Sequence, residues 1–186
     1  IGETQNIDPT EQTFGAINLT WKKLAAIVPM SNDLLRFSAI SADTIVRDDA
    51  VAAMADREDV AFLRGDGSEY TPKGLRAFTP TANVLTATAS YDLAKVTSDT
   101  ADMILALRNG HCRMISPVWF WAPRTTMYLK SVRDTNGNFA FRDELVAGTY
   151  WGFPYYDTTN IPISLGSGDK SEIQLVDMAD VLLGES

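Results

Sequence analysis

Apolar positions repeat first with the period of a strand and then with that of a helix. Ile17, Leu19 and Trp21 alternate with other residues, which predicts a strand with one buried face. The pattern runs toward Val28, with Lys22 and Lys23 marking an exposed stretch, and Pro29 disfavours a central strand beyond it. Ser31, Asn32 and Asp33 offer an N-cap for a short helix over Leu34, Leu35 and Phe37. From Ser41 to about Arg64 no Gly or Pro interrupts the chain. Ile45, Val46, Ala50, Ala53, Met54, Val60 and Ala61 form an uneven apolar stripe at helical spacing. Ser41 is placed to cap this segment, Asp43 sits where the helix dipole favours a carboxylate, and Gly65-Asp66-Gly67 stops it. At 1.5 Å per residue the helix is roughly 33 Å long, well beyond the usual three or four turns.

The second half mixes shorter signals. After a Pro- and Thr-rich connector, Ser90 opens a helix with Leu93, Val96, Thr100, Ile104 and Leu107 on one face and Gly110 as its stop. Val118 to Trp121 is a short apolar run expected as a buried strand. Pro123 fits the first position of a third helix carrying Met127, Leu129 and Val132. Asp134-Thr135-Asn136-Gly137-Asn138 reads as a turn, and Tyr150 to Tyr156 and Ile173 to Val176 as strands. Helices and strands alternate without a βαβ rhythm, so the expected class is α+β.

Composition narrows the possibilities. The chain has 186 residues, 45% hydrophobic and 22% charged, values that suit one compact domain or one domain plus a projecting element and exclude wholesale disorder. Sixteen Lys and Arg stand against 24 Asp and Glu, a formal charge of -8, which disfavours a coat for nucleic acid. No apolar run approaches the roughly 18 residues of a membrane helix. Cys112 is the single cysteine, so no internal disulfide forms. The chain opens at Ile1 without Met and ends just after Val181-Leu182-Leu183, which reads as a piece of a longer protein.

Candidate chemistry is sparse. His111 and Cys112 are adjacent, but neighbours in sequence usually point apart and a dyad needs spatial contact. Asp134, Asn136 and Asn138 have the oxygen spacing of a calcium loop, yet Phe139 stands where that loop demands Gly and Leu145 where it demands Glu, so a turn is the better reading. Arg64-Gly65-Asp66 matches an adhesion tripeptide and is better explained as a helix end plus a turn. No nucleotide, metal or cofactor site is expected, and paired acids such as Asp48-Asp49 and Glu58-Asp59 read as a solvated helix face.

Charge layout says more. Residues 43 to 69 carry eight acids against Arg47, Arg57 and Arg64, a local net of -5. Residues 108 to 142 carry six bases against Asp134 alone, a net of +5. Either the two segments neighbour each other within one molecule, or they meet between copies and set register. The interface candidates are Asp48, Asp49, Asp56, Glu58 and Asp59 on the long helix, and Arg124, Lys130 and Arg133 opposite.

Four stretches, taken in order, resemble a known family. The first is Phe14-Gly15-Ala16-Ile17-Asn18-Leu19 through Lys23-Leu24-Ala25-Ala26 to Pro29-Met30-Ser31-Asn32-Asp33-Leu34-Leu35. The second is Glu58-Asp59-Val60-Ala61-Phe62-Leu63-Arg64-Gly65-Asp66-Gly67 followed by Pro72-Lys73-Gly74-Leu75. The third is Leu129-Lys130-Ser131-Val132-Arg133-Asp134-Thr135-Asn136-Gly137-Asn138, and the fourth Gly152-Phe153-Pro154 leading to Asn160-Ile161-Pro162. Over nearly its whole length the chain resembles the major capsid proteins of tailed bacteriophages, with the Hong Kong 97-type fold.

That resemblance implies an α+β architecture with a long spine helix (42–64) packed on a mainly antiparallel sheet, plus a mixed α/β peripheral domain. It divides the chain into a peripheral-type region, 1–88, with strand, spine helix and connector, and an axial-type region, 89–186. It implies a non-enzymatic subunit of an icosahedral phage or prophage shell, assembling with copies of itself into hexamers and pentamers. Further implied partners are a scaffolding domain or protein, a maturation protease and a portal; packaged DNA is touched only indirectly, and no membrane is involved. The location implied is the virion wall, assembled in the cytoplasm of the bacterial host. An N-terminal arm and projecting loop are expected before the chain and a closing segment after it. Alternatives are an encapsulin-like nanocompartment shell, against which Pro72-Lys73-Gly74-Leu75 weighs, and, from another class, a hydrolase with carboxylate catalysis.

Overall fold

Helix α1 runs unbroken from Ala42 to Arg64 in a computed structural model that describes residues 20–31, 42–87 and 92–184. Its 23 residues span about 34 Å. Asp43 lies in its first turn and Arg64 in its last, each on the side the helix dipole favours. Val46, Ala50, Met54 and Ala61 are half-buried at helical spacing, whereas Ile45 and Val51 stay exposed. The helix is tied down at its C-terminal end. There Leu63 packs with buried Ala122 and Ile161, flanked by Phe120 and by Leu75 of the short helix α2 (Leu75–Phe78).

The strand expected over residues 17–28 is not found where the structure describes them. Residues 20–31 have no regular secondary structure, and Trp21 and Ile27 are 81% and 94% exposed. Alternation shows which face a strand would bury, but a strand also needs a neighbour for its backbone groups and a surface to cover that face. Residues 17–19, the short helix expected over 34–37, the Ser41 cap and the Ser90 cap lie outside the described residues.

Helix α3 (Leu93–Asn109) begins three residues after Ser90, capped by Asp92, whose carboxylate accepts the Lys95 N–H at 2.9 Å. It ends at Gly110, yet Gly110 keeps a negative φ of -76°, and the left-handed step falls on His111 at φ 57°. Strand β1 (Pro117–Trp121) leads into α4 (Pro123–Ser131), with Pro123 in the first turn as expected. Leu129 and Val132 are buried, but Met127 is 67% exposed and does not join the core. A five-residue helix, α5 (Arg142–Val146), precedes β2 (Thr149–Tyr150), β3 (Phe153–Asp157) and β4 (Ile173–Asp177).

The sheet has the order β2-β3-β1-β4 and is mainly antiparallel. β1 runs parallel to β3, with Trp119 opposite Tyr155, and antiparallel to β4, with Trp119 opposite Leu175. β2 and β3 are antiparallel. Because side chains alternate across β1, Trp119 and Trp121 enter one cluster and Phe120 the other. The first cluster is the core: Trp119, Trp121, Leu129, Leu145 and Tyr150, with Val96, Met103 and Ile104 of α3 packed against it. Tyr150 meets both tryptophan rings edge-on at 5.5 Å. Their indole N–H groups donate to the Tyr150 carbonyl (2.9 Å) and to Thr126 Oγ1 (2.8 Å), so both buried indole nitrogens are paired. The second cluster, on the opposite face, receives Leu63 of α1. The class is α+β, as expected.

Candidate assembly surface

All five acidic candidates are exposed on α1. At 3.6 residues per turn, Asp48, Asp49, Asp56 and Asp59 fall within an arc of about 100°, and Glu58 lies on a different side. Asp48 pairs with its neighbour Arg47 at 3.1 Å, both well exposed. Asp59 accepts from Asn160 Nδ2 at 3.3 Å, so it is turned toward the segment after β3 and helps hold the helix end. Arg64 reinforces that anchor through an ion pair to Glu172 at 3.6 Å.

The basic candidates differ among themselves. Arg124 is spent inside the chain, donating to Ser171 Oγ and to the Asp169 carbonyl. Lys130 is half-buried on α4. Arg133 donates to the Gly137 carbonyl at 3.0 Å and lies 4.1 Å from the centre of the Phe139 ring. Arg142, in the basic segment but not among the candidates, lies over the same ring at 4.6 Å. The turn produces this meeting: Arg133 and Phe139 form an antiparallel bridge across Asp134–Asn138. Among the described residues no ion pair joins the acidic segment to the basic one.

Asp134 turns its carboxylate back onto its own turn. One of its oxygens accepts the N–H groups of Asn136 (2.9 Å) and Asn138 (2.8 Å), and the other accepts from Asn138 Nδ2 (3.3 Å). The Asn138 amide leads in holding its pKa below the ordinary carboxylate value. Arg64-Gly65-Asp66 is a helix end followed by a turn, in which Asp66 accepts the Ser68 N–H at 3.0 Å.

One cluster escaped the sequence reading. Cys112 Sγ, Asp177 and Asp180 bring their ligand atoms within 4.8 Å of one another. The thiol lies 3.4 Å from Asp177 Oδ2 and 3.9 Å from Asp180 Oδ2. Burial, followed by the two carboxylates, pushes the Cys112 thiol up, which opposes the thiolate a metal needs. Burial raises the Asp177 pKa, but hydrogen bonds from the Ser116, Ile115 and Ala179 amides and from the thiol outweigh it and leave it below the ordinary value. Those amides occupy the carboxylate, so the cluster is a brace for the loop before β1. No sequence signal could have found it, since the two aspartates lie 65 and 68 residues from Cys112.

Two grooves flank α1. One, of about 240 Å³, is lined by Arg57, Arg64, Asp66 and Thr71; the other, of about 270 Å³, lies between α1 and residues 22–24. Among the described residues, every carboxylate with a shifted pKa (Asp66, Asp134, Asp177) moves down through backbone hydrogen bonds, whereas a carboxylic acid catalyst needs a raised pKa. No described helix is long and apolar enough to cross a membrane.

Comparison with known proteins agrees with this architecture. The major capsid protein of Klebsiella oxytoca phage phiKO2 is 37% identical over 188 residues, covering 99% of this chain and 44% of that protein. The capsid polyprotein of Pseudomonas phage PAJU2 is 28% identical over 192 residues, covering 100% of this chain and 27% of that protein. The chain thus spans less than half the length of these relatives. Among solved structures, the capsid of a native GTA particle matches with a TM-score of 0.56 at 23% identity, over 71% of this chain and 48% of that one. A chain from Mycobacterium phage Bobi matches with a TM-score of 0.56 at 20% identity, over 84% and 50%. These structures share its fold. The phage capsid family model matches residues 1–186, the full length of the sequence, and the chain belongs to the phage capsid family.

Proposed function

We propose that the protein is the structural subunit of an icosahedral phage or prophage shell, assembling with copies of itself into hexamers and pentamers. The observation that carries this reading is the mounting of α1. A helix of about 34 Å is fixed by Leu63, Asp59 and Arg64 at one end, while the rest of its length presents exposed acids and the apolar side chains Ile45 and Val51. Within a single copy that surface gains nothing from exposure; covered by neighbours it supplies buried area and charge complementarity, the two terms that drive association.

On this reading residues 1–88 form the peripheral-type region and 89–186 the axial-type region, with the Leu63–Ala122–Ile161 cluster joining them. The function is assembly and not catalysis. Scaffold, maturation protease and portal are the further partners, DNA is enclosed without specific readout, and the shell is built in the host cytoplasm. The encapsulin-like alternative shares the architecture, but the named relatives are phage capsid proteins. A hydrolase would need converging carboxylates with a raised pKa, and the shifted carboxylates among the described residues all move down. Sedimentation velocity on the complete gene product is the test. A sharp boundary far heavier than a subunit is expected, and a species that stays at subunit mass at every concentration and salt would refute the reading.

A further inference from the structure

Arg133 and Arg142 hold their guanidinium carbons 4.1 and 4.6 Å from the centre of one ring, Phe139, on the exposed turn between α4 and α5. The two cations are therefore less than about 10 Å apart, within one Debye length at 0.1 M salt, and repel each other across that gap. Each is attracted to the aromatic ring, which fixes its position without neutralising it. The nearby acids leave the charge uncompensated. Asp134 is consumed by the turn, and Asp143, next to Arg142, makes no ion pair with either arginine. Phe139 itself remains 37% exposed. Arg133 spends one nitrogen on the Gly137 carbonyl and keeps its other donors, so two planar, preorganised groups with no ion-pair partner among the described residues are suited to carboxylates.

Resting on the shell-subunit reading, we infer that Arg133, Phe139 and Arg142 form a clamp that grips the acidic stripe of α1 on a second copy of this chain, chiefly Asp49 and Asp56. The charge is complementary, a net of +5 across residues 108–142 against -5 across residues 43–69. The spacing also fits: Asp49 and Asp56 lie on one side of α1, two turns apart, about 10 Å along the axis. Both aspartates are exposed and neither has a basic partner among the described residues, in contrast to Asp48, paired with Arg47, and Asp59, turned to Asn160. The structure also removes Arg124 from this role, since its guanidinium is occupied by Ser171 and Asp169.

The test follows assembly of the complete gene product by light scattering at low salt. Arg133→Glu with Arg142→Glu is expected to slow assembly about tenfold or more, and adding Asp49→Arg with Asp56→Arg to restore the rate to within about threefold. The neutral pair Arg133→Gln with Arg142→Gln, read beside a circular dichroism melt, guards against a misfolded charge reversal; it is expected to slow assembly less and to flatten its dependence on salt. A reversed variant that assembles at the normal rate, or a slow one that the α1 reversal does not rescue, overturns the clamp. So does wild-type protein that captures a short duplex oligonucleotide through these arginines while the reversal leaves assembly unchanged, since the site would then serve phosphates. If the wild-type product forms no shells at all, it is the functional reading that fails.

Discussion

Gly74 donates its backbone N–H to the carbonyl of Gly65 at 2.9 Å, and the two residues approach so closely that neither has room for a side chain. A Cβ on Gly65 would stand 2.0 Å from the Pro72 carbonyl oxygen and 2.4 Å from that of Ala61; one on Gly74 would stand 2.5 Å from the Gly65 nitrogen. All are backbone atoms, which cannot turn aside. This crossing locks the end of α1 to the segment leading into α2. Gly65→Ala and Gly74→Ala should each cost about 1–3 kcal/mol, as other overpacked sites do. Urea denaturation checks this, and unchanged midpoints would mean that the crossing relaxes freely.

Ile161 is almost fully buried against Leu63 and Ala122, and it fixes the other side of the same anchor. Ile161→Ala should cost about 2–5 kcal/mol by transfer loss and cavity formation. Because the tryptophan cluster lies across the sheet, near-ultraviolet circular dichroism of that cluster should survive the change at low temperature. Loss of the aromatic signal together with the anchor would show that the two clusters do not separate.

Asp177 braces the loop before β1 by accepting the Ile115, Ser116 and Ala179 amides at 3.0, 2.8 and 3.2 Å. Its folded pKa lies below the ordinary 3.8, so the ionised form contributes stability that is present above that value and lost as pH falls through the lower folded one. Asp177→Asn should therefore destabilise the protein most at neutral pH, and the gap from wild type should close on acidification. Urea midpoints across an acid series test this; a gap independent of pH contradicts it.

Cys112 should be a sluggish thiol. Burial and the neighbouring Asp177 and Asp180 carboxylates push its pKa above the ordinary value, so the reactive thiolate is scarce at mildly alkaline pH. Iodoacetamide should label it several-fold more slowly than a free cysteine, and Asp180→Asn should speed the reaction. Equal rates for Cys112 and the free amino acid would refute that.

Physical reasons separate what was legible in the sequence from what was not. Helix α1 announced itself because nothing between Ala42 and Arg64 opposes a helix. Strand β1 was readable because burial on both faces demands an unbroken apolar run. The alternation around Trp21 misled because period two is a local property and the cover for a strand face is not. The Gly65 and Gly74 positions were visible as a motif, but the reason for them, two backbones in contact, exists only in space. The arginine clamp was half seen: the charge excess was plain, yet only the turn's pairing shows that Arg133 and Arg142 share Phe139 and that Arg124 is already engaged.

The central claim is that this chain builds a shell through surfaces its isolated fold leaves open. Electron microscopy of the complete gene product tests it most directly. The account predicts closed particles of uniform diameter whose walls contain α1 as one continuous rod, docked at its Leu63 end and covered along the rest of its length by neighbouring subunits. Dispersed subunits without closed particles, or walls in which the α1 surface stays bare, would contradict it.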